Sequence, residues 1–113
     1  SGTVKYKGAV GSQRTLEEAQ AAARLCAVNI LAVLKEAIGG DWTKIKQCVR
    51  LGGFVNAGPE FTDHPKVING ASDLMVAVLG DKGYHARAAV GCSALPLGAT
   101  VEVEAIFELH SGV

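Results

Sequence analysis

The 113 residues are 49 % hydrophobic and 19 % charged, with eleven Lys and Arg balanced by eleven Asp and Glu, so the formal net charge is zero. That length suits one self-sufficient core, and that composition is too apolar for a disordered chain. Scattered basic residues and an aromatic content of 5 % speak against nucleic acid as a partner, because binding a phosphate backbone relies on clustered Lys and Arg.

Thr15-Leu16-Glu17-Glu18 has the form of a capping box, in which the Thr15 hydroxyl accepts from the Glu18 amide and the Glu18 side chain reaches back. Leu16, Ala19, Ala23, Cys26, Ile30, Val33 and Ala37 follow at alternating helical spacings, which predicts an amphipathic helix over Thr15–Ile38 that Gly39-Gly40 ends. Asp41-Trp42-Thr43 suits a short turn. Cys48–Val55 reads as a strand whose Gly52-Gly53 pair signals a bulge or a close backbone approach, and Asn56-Ala57-Gly58-Pro59 ends it. Pro65 in a first turn opens a second helix over Asp63–Leu79, with Val67, Ala71, Leu74 and Val78 as its apolar stripe and Gly80 as its stop. Ala86–Ala94 is the next strand, and Leu95-Pro96-Leu97-Gly98 a turn. Thr100–Leu109 is the last strand and the most regular. Val101, Val103, Ala105, Phe107 and Leu109 point one way, and Thr100, Glu102, Glu104, Ile106 and Glu108 the other.

The order is β–loop–α–β–α–β–β without internal repeat, so the chain is expected to be one α/β (α+β) domain over residues 1–113. Its architecture would be a single mixed sheet with two helices packed on one face. The other face would then lack a cover, for which oligomerisation is the usual remedy. Cys26, Cys48 and Cys92 lie in apolar segments with no CxxC spacing, which suits small core hydrophobes in a reducing cytoplasm. No run reaches the ~18–20 apolar residues of a membrane span. No spacing suggests a metal site, and no pattern implies a cofactor.

Two features could carry chemistry. Arg87 stands among Ala86, Ala88 and Ala89, where small neighbours leave room for a ligand and the guanidinium fork matches a carboxylate. An arginine paired with a glutamate, or reaching solvent at the start of its strand, is the other reading. Glu102 and Glu104 share one face of an otherwise apolar strand, where a carboxylate can move protons. A solvated sheet face explains the same pattern. Cys26 falls on the helix stripe as core filler, His64 marks a helix start, His110 lies near the C-terminus, and His85 precedes Arg87 on the same strand face. Neither Gly11-Ser12 nor Gly52-Gly53 has the Lys and following helix of a phosphate loop.

His85-Ala86-Arg87-Ala88-Ala89-Val90-Gly91, then Ala94-Leu95-Pro96-Leu97-Gly98-Ala99 and Val101-Glu102-Val103-Glu104-Ala105, resemble the C-terminal signature of the Rid/YjgF family, also labelled L-PSP endoribonuclease or translation inhibitor. Val67-Ile68-Asn69 resembles the family's Val-Asn in the second helix. The resemblance implies a chorismate-mutase-like homotrimer that hydrolyses reactive enamine or imine intermediates to 2-oxo acids and ammonia. It implies that Arg87 grips the substrate carboxylate and that Glu102 positions or activates water. Ala89, through its backbone, and Asn69 would be substrate-binding, and Ser1 could match the family's Ser-Gly motif. Ala89 replaces the cysteine common in the deaminase subgroup, which leaves no thiol-dependent step there. Compared with the family pattern, an N-terminal strand segment with a site aromatic is missing from this sequence. A module that only binds small carboxylates is the alternative, and a ribonuclease the weaker one.

Overall fold

The computed structural model describes residues 5–111. Helix α1 spans Leu16–Ala37, strand β1 Ile45–Asn56, helix α2 His64–Leu79, strand β2 Ala86–Cys92 and strand β3 Val101–Leu109. Short 3-10 turns at Trp42–Lys44, Gly80–Gly83 and Pro96–Gly98 connect them.

The capping box forms as the sequence predicts. Thr15 Oγ1 accepts from the Glu18 amide at 3.1 Å, and the Thr15 amide donates to the Glu18 carboxylate at 3.0 Å. Behind that cap the buried stripe of α1 runs through Ala19, Ala22, Ala23, Ala27, Leu31 and Leu34. Its second half is therefore rotated from the expected one, and Val33 is 69 % exposed. Cys26, Ile30, Val33 and Ala37 instead line a groove between α1 and β3. In α2 the buried residues are Val67, Ile68, Ala71, Leu74 and Met75, while Val78 stays largely open.

The sheet is mixed, with strand order β2-β1-β3. β1 pairs parallel with β2 and antiparallel with β3. Leu51, Gly53 and Val55 of β1 share the helix-covered face with their register partners Arg87, Ala89 and Gly91 of β2 and Ala105, Val103 and Val101 of β3. Arg50, Gly52 and Phe54 share the open face with Ala86, Ala88, Val90, Ile106, Glu104 and Glu102. Val90 and Ile106 are 46 % and 56 % exposed there. Both helices thus lie on one side and leave the other bare, as the strand patterning predicts.

Three local expectations change. No named strand precedes α1 among the described residues, only isolated bridges such as Lys7 with Ala99 and Val10 with Ala57. Thr100 is fully buried rather than facing outward, because its hydroxyl donates to the Gly8 carbonyl and its amide to the Tyr6 carbonyl. Gly52-Gly53 is a close approach, not a bulge. A Cβ at Gly53 would collide with the buried Ile68 side chain of α2, and the register shifts fall earlier, between Ile45/Gln47 and Cys48/Arg50.

The two helices meet at backbone distance. A Cβ at Gly70 would collide with the Gln20 carbonyl oxygen of α1, and close by the Gln20 side chain donates to the Lys66 carbonyl at 2.9 Å. Alanine is the better helix former than glycine by ~1 kcal/mol. Overpacking costs ~1–3 kcal/mol, and a backbone oxygen cannot rotate aside as a side chain can. Gly70→Ala should therefore lower the thermal midpoint despite its helix propensity. Thr15→Ala should cost about 1 kcal/mol through the lost cap, a drop of about 4–8 °C in Tm. Thermal melts followed by circular dichroism check both, and a raised midpoint in Gly70→Ala would contradict the close crossing.

Candidate functional site

Arg87 lies on β2, an edge strand, and its residue is exposed although its strand position faces the helix layer. The guanidinium reaches α2. Its Nη1 donates to Asn69 Oδ1 at 2.8 Å and to Ser72 Oγ at 3.1 Å. Asn69 and Ser72 are three residues apart, so one helical turn presents both acceptors on the same side of α2. Among the described residues no carboxylate lies within salt-bridge distance of Arg87. The ion-paired reading of this arginine therefore fails. Both acceptors are neutral, so they fix the side chain without cancelling its charge.

Ala89 is half-buried on the same strand face, two residues beyond Arg87. Gly91 follows, where a Cβ would meet His64 Nε2 at 2.5 Å. His64 stacks edge-on against Phe61, with ring centroids 5.3 Å apart, at the start of α2. The backbone of β2 is thus lined by side chains that shrink from Arg87 to Ala89 to Gly91. Ser1 lies outside the described residues.

Glu102 is not brought to Arg87 within the chain. It lies on β3, with β1 between them, and projects from the opposite sheet face. Its neighbour on that face, Glu104, accepts from Arg50 Nη1 at 3.1 Å, an ion pair lying over Gly52. Glu102 has no such partner among the described residues. A groove of about 570 Å³ runs between α1 and β3 and includes Glu102, Cys26 and Phe107 but not Arg87. Arg87, Asn69 and Ala89 therefore form one cluster, and Glu102 stands apart from it.

Ser72 is the residue that sequence reasoning missed. The available signal was the Asn69-x-x-Ser72 spacing, two neutral acceptors one turn apart on a helix next to a strand with a lone arginine. His85 also belongs here, since its Nε2 lies 2.9 Å from Ser72 Oγ. Four other basic side chains pair with carboxylates: Arg14 with Glu18, Lys46 with Glu108, Arg50 with Glu104 and Lys66 with Asp63. Among the described residues, no three His, Cys, Asp or Glu side chains cluster as metal ligands, and no helix is long and apolar enough to cross a membrane.

Burial pushes all three thiols up from their ordinary value, and the Glu102 carboxylate adds to the effect at Cys26 and Cys92. The thiol form therefore dominates at neutral pH.

Residues 1–109 match the model of the family described as YjgF/chorismate_mutase-like, putative endoribonuclease. Protein TCP17 of Trypanosoma cruzi is 47 % identical over 105 residues, which cover 92 % of this chain and 65 % of that protein. The chain thus spans just under two thirds of the length of this curated relative. The crystal structure of protein Atu1372 from Agrobacterium tumefaciens, of unknown function, is 51 % identical with a TM-score of 0.94, over 97 % of this chain and 70 % of that one. A putative endoribonuclease from Shewanella oneidensis MR-1 is 37 % identical with a TM-score of 0.91, over 96 % of this chain and 72 % of that one.

Since the deprotonated form is the nucleophile, Cys26, Cys48 and Cys92 should alkylate with iodoacetamide more slowly at pH 7 than free cysteine does. Peptide mass spectrometry reads the rates. A cysteine that reacts as fast as the free amino acid would contradict the raised pKa.

Proposed function

From the chain's membership of the YjgF/chorismate-mutase-like family, to which it belongs over residues 1–109, we propose that it binds small 2-imino or 2-oxo acids through Arg87 and hydrolyses the imino forms. The observation that carries this reading is an exposed guanidinium held by two neutral acceptors, with no carboxylate of its own among the described residues. Asn69 and Ser72 occupy Nη1. The Nε–Nη2 edge remains for a bidentate carboxylate, the geometry in which an arginine binds most strongly. The small side chain of Ala89, on the same strand face, keeps the approach open.

The reaction needs few groups. An imine carbon is already electrophilic, so water adds to it and the C–N bond then breaks, releasing ammonia and leaving the 2-oxo acid. Holding the carboxylate fixes the imine carbon relative to the water. A carboxylate that takes the proton from water is worth ~10²–10⁴ in rate. Glu102 is the free carboxylate for that role, and because it leaves the sheet on the face opposite Arg87 the site would be shared between subunits. Packing over the open face would bring the partner subunit's Glu102 to the Arg87 cluster only around the edge of β2, where Arg87 is exposed. The bare face bearing Ile106 and Val90 supports such packing, and a closed trimer buries it without open-ended assembly. The separation of Arg87 from Glu102 within one chain favours the second reading, a module that binds carboxylates without turnover, for any form of the protein that does not assemble.

Arg87→Ala should abolish hydrolysis of a freshly generated 2-imino acid while the fold persists, and Arg87→Lys should fail too, because a point charge cannot replace the fork. Steady-state ammonia release checks both. Wild-type turnover in either variant removes Arg87 from the site. Glu102→Gln should slow turnover about a hundredfold or more while 2-oxobutanoate still binds. Glu104→Gln should be far milder, since Glu104 is spent on Arg50. Sedimentation at micromolar concentration should give a trimer mass, and an active monomer would sink the shared site.

A further inference from the structure

The ring of His85 connects to Arg87 through Ser72. His85 Nδ1 is hydrogen-bonded to the Gly83 carbonyl oxygen. A carbonyl can only accept, so Nδ1 carries the proton and donates. In the neutral ring Nε2 is then a bare lone pair. Ser72 Oγ lies 2.9 Å from Nε2 and donates its single proton there. That leaves only lone pairs on Ser72 Oγ for the second contact, the Arg87 Nη1 donor at 3.1 Å. The hydroxyl is polarised in one direction along a chain of Arg87, Ser72, His85 and Gly83.

We propose that His85 is a positioning residue for Arg87: by taking the Ser72 proton it turns Ser72 into a fixed acceptor and holds the guanidinium edge open to a carboxylate. The inference rests on the carboxylate-binding reading of Arg87, but the positioning has its own observable. Three features of the fold set up the relay. Gly83 is buried, and a Cβ there would collide with the Met75 carbonyl of α2, which pins the carbonyl-bearing turn under the helix. His85 is the residue directly before β2, so its ring shares the strand face of Arg87. Ser72 is one turn beyond Asn69, so the same helix face supplies a second, independent acceptor to Nη1. With Asn69 alone, Nη1 could swing about a single bond. With both acceptors the plane of the guanidinium is defined, and so is the plane in which a carboxylate must lie.

The test compares wild type with His85→Leu, Ser72→Ala and His85→Gln. The glutamine amide oxygen can occupy the place of Nε2 and accept from Ser72, so it should rescue what leucine loses. Proton–nitrogen correlation NMR of the wild type should place the His85 proton on Nδ1 and resolve sharp side-chain signals for Arg87. Those signals should average in His85→Leu and Ser72→Ala and return in His85→Gln. Calorimetric titration with 2-oxobutanoate should weaken roughly three- to tenfold in the first two variants, the worth of about one hydrogen bond, with the KM for an imino acid rising more than kcat falls. If His85→Leu does not fold, Ser72→Ala carries the same comparison, since it removes only an oxygen. A wild-type His85 protonated on Nε2, or Arg87 signals in His85→Leu identical to wild type, overturns the proposal. Ordered Arg87 signals that vanish in the variants, in a wild type that binds no 2-oxobutanoate, leave the relay standing and sink the carboxylate reading instead.

Discussion

Helix α2 lies nearer to its neighbours than side chains would allow, and the arrangement around Arg87 depends on that seat. Gly53 of β1 gives way to Ile68, Gly70 gives way to the Gln20 carbonyl of α1, Gly83 passes under the Met75 carbonyl and Gly91 of β2 passes under His64. Each is a contact that a single methyl would obstruct, and together they fix the helix in height and in rotation. Asn69 and Ser72 lie between these contacts in sequence. Their bonds to Arg87, at 2.8 and 3.1 Å, tolerate only a small displacement of the helix. The packing of small residues and the polar geometry of the cluster are thus the same constraint expressed in two kinds of atom.

Two arginines on the sheet show how context decides what a guanidinium can do. Arg50 projects from the open face and meets Glu104 at 3.1 Å. Its charge is matched within the chain. Arg87 projects from the covered face of an edge strand and meets an amide oxygen and a hydroxyl. Neutral acceptors order the side chain by directional bonds but leave the electrostatic field of the cation intact for another anion. The difference lies in what the opposing element offers, α2 with Asn69 and Ser72 in one case and β3 with Glu104 in the other.

Much of this was legible in the chain. Capping chemistry placed the start of α1, and strict alternation placed the two faces of β3, because both signals are local. The family signature singled out Arg87 and Asn69, and the two residues do meet. What failed was of another kind. Periodicity reports which positions are apolar, not which are covered, so Cys26, Ile30 and Val33 read as core although they line a groove. Thr100 read as outward because alternation cannot foresee a segment some ninety residues earlier crossing over it. The separation of Glu102 from Arg87 was likewise invisible. Both sit on strands with apolar neighbours, and only the register of β1 against each partner reveals that they leave the sheet on opposite sides. Ser72 went unnoticed since a serine in a helix is ordinary until its neighbour across the gap is known.

The strand order has a consequence for how the chain reaches this state. β1 is central, yet both of its partners come later in sequence, β2 at Ala86–Cys92 and β3 at Val101–Leu109. During synthesis β1 therefore emerges with two open edges and cannot pair until thirty or more further residues have followed. An apolar strand waiting in that condition is a template for pairing with a second nascent chain. Lys46 and Arg50 stand on β1 during the wait, and like charges on two such strands repel. When β3 arrives, Glu108 and Glu104 take up those same two cations at 3.6 and 3.1 Å. The exposed pairs that contribute little to the finished fold thus guard its central strand until the correct partner neutralises it.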